Sequence, residues 1–169
     1  MKDLESTELI ELLNKCWMTH DGMWFFHCFQ EFGIEKVNKL NRSAIKSLAP
    51  IEVKRIKKAV GMEDAAVKTF EEFRMFFSGA MRLCMPDFMN ISMSFPNENT
   101  IHWEFEPGKC FAYLGMQRIG AIEEYNCGVI YRVESWIESL CIKYSTQPST
   151  QKCLMLDGGE CVGDITLIF

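Results

Sequence analysis

The sequence predicts an α+β fold in which helices pack on one antiparallel sheet, and three observations carry the prediction. Apolar residues recur at the helical period through the first half of the chain; from Met89 the period changes to two; and turn residues cut the second half into short segments. The chain therefore reads as a single domain over 1–169, with a helical portion at 1–85 and a hairpin-helix-hairpin portion at 86–169. At 169 residues it can bury a core without disulfide staples.

Ser6 or Thr7 can cap the first helix, with Glu8 in its first turn and Leu9, Leu12, Leu13, Cys16 and Trp17 at helical spacing. Asp21-Gly22 is expected to stop or kink it. Phe25, Cys28, Phe29 and Phe32 resume the period up to Gly33, and Val37, Leu40, Ala44, Ile45 and Leu48 define a further helix that Pro50 should end. A short basic helix runs to Gly61. Ala66, Phe70, Phe73, Phe77 and Met81 then form a long aromatic stripe that stops ahead of Pro86.

The strands follow. Met89, Ile91, Met93 and Phe95 alternate with polar residues, as do Ile101, Trp103 and Phe105, across a Pro96-Asn97-Glu98-Asn99 turn. A helix is expected from Phe111 to Ile119, and another carries Val133, Trp136, Ile137 and Leu140. Cys153 to Cys161 reads as a strand, an Asp157-Gly158-Gly159 turn and a return strand, the second hairpin, ending in Ile165, Leu167 and Phe169.

The formal net charge of -5 provides no chain-wide attraction to nucleic acid or to an anionic membrane, and the basic run Lys54 to Lys58 reads as a solvated helix face. No apolar stretch approaches the ~18 residues of a membrane span, and the N-terminus lacks the apolar core of a signal peptide. The expectation is a cytoplasmic protein with neither nucleic acid nor membrane as partner. Its eight cysteines are then thiols or metal ligands. Cys16, Cys28, Cys84 and Cys141 sit among apolar residues at helical spacing and read as small hydrophobes. Cys110, Cys127, Cys153 and Cys161 lie near glycines and turns. Cys153 and Cys161 could present two thiolates to one cation, and Cys127 and Cys110 would complete the tetrahedral set that zinc favours; the bland alternative is a group of core thiols.

Ligand-binding candidates come from two groups. If the first helical segments are nearly continuous, Trp17, His20 or Asp21, Trp24 and His27 fall on one side and could line a pocket. Alternatively Asp21 is a cap, His20 a satisfied histidine and the tryptophans packing. Trp103, Arg132 and Trp136 pose the same choice: Arg132 could take a ligand carboxylate, or pair with Glu124 or Glu134. No nucleophile elbow, phosphate loop, dinucleotide fingerprint or His-Glu-x-x-His motif is present.

Cys127, the helix with Trp136, Cys153, the glycine turn and Cys161 with the strand after it make a C-terminal third that resembles the vinyl-4-reductase-like hydrocarbon-binding domain. That family includes the sensor domains of phenol-responsive transcription activators. Thr19 to Trp24, Lys109 to Met116, and Tyr125 to Gly128 with Arg132 and Trp136 look like an uncharacterised archaeal and bacterial branch of it, with a more distant likeness to amino-thiazoline carboxylate hydrolases. The resemblance implies a zinc ion held by three cysteines and a glutamate beside a pocket for an apolar or aromatic small molecule, in a homodimer. Cys127, Cys153 and Cys161 fall on the three zinc cysteines. The glutamate position is Thr150, so Cys110 stands as candidate fourth ligand, with Glu160, Asp157 or water as alternatives. The expected function is small-molecule binding in a domain stabilised by structural zinc; the alternative is a zinc-dependent small-molecule hydrolase with water on an open metal position.

Overall fold

A computed structural model describes residues 3–169. Helices α1 (Ser6–Phe32), α2 (Ile34–Ala59) and α3 (Phe70–Cys84) precede the hairpin β1 (Ile91–Asn97) and β2 (Thr100–Phe105). Helices α4 (Phe111–Arg118) and α5 (Val129–Ser139), strand β3 (Lys143–Gln147), the short helix α6 (Leu154–Gly158) and strand β4 (Cys161–Ile168) follow. One antiparallel sheet runs in the order β1-β2-β4-β3, so the fold is α+β. Among the described residues no helix is long and apolar enough to cross a membrane.

Two expected helix breaks are absent. Asp21-Gly22 lies inside α1, because one interior glycine costs only about 1 kcal/mol and helix-forming sequence continues on both sides. Pro50 lies inside α2 and is exposed, while Ala49, Val53 and Ile56 carry the buried face across it, merging the basic segment with the helix before it. Thr69 caps α3 as a capping box with Glu72, and buries Phe73, Phe76, Phe77 and Ala80 below. The Phe70 ring packs edge-on to Phe95 and Phe169, 5.7 and 6.5 Å between centroids, and so joins α3 to the sheet.

The second expected hairpin is corrected. Leu154–Gly158 is a turn of helix, closed by Gly159 at φ +74, a conformation glycine adopts without penalty. Met155 is buried by this helix, which a strand would have pointed alternately in and out. β4 starts only at Cys161 and pairs with β2 and β3. Met89 belongs to a short 3-10 turn ahead of β1.

The core lies between the inner face of β2 and β4 (Ile101, Trp103, Phe105, Ile165, Leu167) and the buried faces of α3 and α5. At its centre Trp103 pairs with Gly163. A Cβ at Gly163 would overlap both the Trp103 ring and the Gln147 carbonyl oxygen. Gly163→Ala is therefore expected to destabilise by about 1–3 kcal/mol, by the ordinary cost of overpacking. A urea midpoint equal to that of the parent chain would contradict this.

Candidate metal centre

Four segments bring a cysteine to one cleft. Cys110 is the N-cap of α4, Cys127 lies one residue before the N-cap of α5, Cys153 is the N-cap of α6, and Cys161 opens β4 opposite Phe105. The first three therefore sit at or beside helix starts, where backbone N–H groups have no partner inside the helix, although neither Cys110 nor Cys153 makes a side-chain cap hydrogen bond. Amides of Ala112 and Tyr113 near Cys110, of Val129 and Ile130 near Cys127, and of Met155 and Leu156 near Cys153 each draw the thiol pKa down against the effect of burial. Such donors favour the thiolate.

Burial works the other way. The cleft encloses about 360 Å³ counted out to its mouth, and its walls include Phe105, Tyr125, Ile130 and Met155. The space between the walls admits little more than a water-sized sphere. Loss of water pushes Cys110 and Cys161 up to about 12, and burial also raises Cys127 and Cys153. The thiols add to one another's shifts: Cys127 and Cys161 raise Cys110, Cys153 raises Cys127, and both Cys127 and Cys153 raise Cys161. Without a cation all four are protonated at neutral pH.

The Trp103 indole N–H is buried with no hydrogen bond of ordinary geometry. It nevertheless lies close enough to Cys161 to favour that thiolate, so a deprotonated Cys161 is the acceptor this donor lacks. Four soft sulfur donors, three sets of amides and an unmatched N–H suit a zinc-thiolate centre. Among the described residues no three His, Cys, Asp or Glu side chains already stand at the spacing of a formed metal site. Gripping an ion thus requires the cysteine side chains to draw in.

The other candidates divide. Glu160 and Asp157 are exposed and do not line the cleft, whereas Thr150 is buried and does. Behind it lies Glu134, 9 % exposed, whose carboxylate accepts from Thr146 at 2.7 Å and whose charge reaches Cys127. Sequence reasoning passed over this carboxylate as a cleft neighbour. Its signal was available, because Glu134 shares the spacing of Ile130, Val133 and Ile137 on the buried face of α5.

Arg132 does not pair with Glu124 or Glu134. Its Nε donates to Glu52 at 3.0 Å, its Nη2 forms an ion pair with the same carboxylate, and Trp136 Nε1 donates to Glu52 at 2.8 Å. The guanidinium also lies 4.5 Å from the Trp17 ring and 5.1 Å from Trp136. Its fork is thereby engaged with Glu52 on α2, the carboxylate pairing the sequence left open but with a partner other than the two it named. Asp21 stands beside this cluster: loss of water raises its carboxyl, opposed by Arg132 and His20. Trp17, Asp21, Glu52, Arg132 and Trp136 thus join α1, α2 and α5. His20 is exposed and Trp24 is 63 % exposed, and neither lines the cysteine cleft. Trp103 is buried in the sheet beside Cys161, so the seven ligand-binding candidates are not gathered around one cavity.

A family model described as a family of unknown function, DUF6125, matches residues 2–79. That stretch takes in α1, α2 and most of α3, and ends before the first cysteine of the cleft. No curated protein matches the chain.

Proposed function

We propose that this protein is a small-molecule binding domain whose C-terminal cleft is fastened by a structural zinc ion on Cys110, Cys127, Cys153 and Cys161. The supporting observation is that thiols from four separate segments line one cleft, three of them at or beside the starts of helices. Bound zinc would supply the positive charge that offsets thiolate burial. Cys110, Cys127 and Cys153 would then tie the starts of α4, α5 and α6 to Cys161 at the start of β4. With every sulfur engaged no ligand position is left for water, which favours binding over hydrolysis. Phe105, Ile130 and Met155 would form an apolar wall beside the ion, met by an apolar or aromatic molecule at the mouth of the cleft.

A homodimer fits the same reading. No residue of α1 is buried, yet Leu9, Leu12, Leu13, Trp17, Met23, Trp24 and Phe32 are each more than a third exposed. Large apolar side chains left exposed along one helix are what a second copy would cover. All eight cysteines are free, which suits a reducing cytoplasm. Metal analysis by mass spectrometry on protein expressed in zinc-replete medium is expected to find about one zinc per folded chain. Folded protein with negligible zinc would sink the proposal.

A further inference from the structure

We propose that a second, open groove, between the start of α2 and the loop carrying Cys127, binds a small zwitterion of the amino-acid type. The groove measures about 580 Å³ out to its open face, and Glu35, Lys39, Arg42 and Glu124 surround it, with Ile34 as an apolar wall. Two cations and two anions thus face one space. Among the described residues none of the four takes part in an ion pair. Opposite charges held apart around an opening suit a ligand that carries both signs: its carboxylate on Arg42 and Lys39, its ammonium on Glu35 and Glu124.

Two further features make the groove a prepared site. The Arg42 guanidinium rests over Tyr131, 3.5 Å from the ring centroid, which restricts where the side chain can lie. Glu134 is near enough to feel its charge without pairing with it. The opposite wall is held by buried Asn38, which donates to the Glu124 carbonyl at 2.7 Å and accepts from the Asn126 amide at 3.1 Å. The backbone of this wall does not have to be ordered when a ligand arrives, which removes part of the cost of binding. The inference uses no metal and stands apart from the zinc reading.

Titration calorimetry on the full chain, with each protein amino acid in turn and with its N-acetyl and carboxamide forms, tests it. At least one free amino acid is expected to bind saturably, and each capped form should bind at least about tenfold more weakly, because each loses a charge-assisted contact. Arg42→Gln is expected to weaken the free amino acid at least about tenfold, and Lys39→Gln, an exposed change that leaves folding intact, in the same direction. Absence of saturable binding across the whole set overturns the proposal. So does binding unchanged by either cap, or unchanged in both variants.

Discussion

Cys153→Ser combined with Cys161→Ser is expected to abolish zinc retention and to lower the thermal midpoint by roughly 10 °C or more. A structural zinc in small peptides supplies on the order of 10 kcal/mol at neutral pH. Here the core around Trp103, Trp136 and the α3 phenylalanines folds on its own account, so a loss of about 4 kcal/mol is the conservative expectation, at about 2–4 °C for each kcal/mol in a domain of this size. Cys16→Ser with Cys141→Ser, two exposed thiols, serves as the control and should leave both zinc and midpoint unchanged. The pH response separates metal from mere packing. In metal-free protein the cleft thiols have raised pKa values, so the folded state holds protons that the unfolded chain releases; their stabilisation is present below about pH 9 and lost as pH rises towards about 12. The zinc-loaded protein should respond in the opposite sense, losing zinc and stability on acidification as thiolates are protonated. Identical zinc content and midpoints in the double variant and the control would refute the metal centre.

Glu52→Ala is expected to cost about 3–5 kcal/mol, the usual penalty for leaving a buried charge without its partner. Arg132 and Glu52 are 15 % and 12 % exposed at their side chains, and the same carboxylate also receives the Trp136 indole N–H. Removing it orphans two donors at once, and Asp21 offsets only part of the guanidinium charge. Replacing both partners by apolar residues, Glu52→Leu with Arg132→Met, should recover most of the loss, because no uncompensated charge then remains. Denaturant unfolding of the two single variants and the double variant checks this. Equal costs in the single and the double variants would mean that packing against Trp17 and Trp136, rather than the ion pair, holds α1, α2 and α5 together.

How far the candidate centre was legible depends on what each residue's neighbours in sequence reveal. Cys110 and Cys127 stand just ahead of helical patterns, and their place at or beside helix starts follows from that. Cys153 and Cys161 were assigned to opposite arms of a hairpin. They instead flank a single turn of helix, because Leu154-Met155-Leu156 buries Met155 towards the core, a choice made by α5 and β2 rather than by the nine residues themselves. The thiols still reach one cleft by that different path. β3 escaped notice since Lys143–Gln147 carries polar residues at an edge of the sheet, where half of its backbone groups need no partner strand and no side-chain face is dry. Arg132 shows the limit most clearly. Sequence proximity suggested Glu124 or Glu134, but the partner is 80 residues away, on a helix that Pro50 was expected to have ended.

By itself the sequence determined the α+β class, the aromatic stripe of α3 and the β1-β2 hairpin, because hydrophobic period and turn chemistry are local properties that neighbouring residues fix. Tertiary structure alone decided which strands flank β4, which carboxylate holds Arg132 and by what path Cys153 and Cys161 reach the cleft. Those outcomes depend on burial energies summed over elements far apart in the chain, and no window of sequence contains both sides of such a contact.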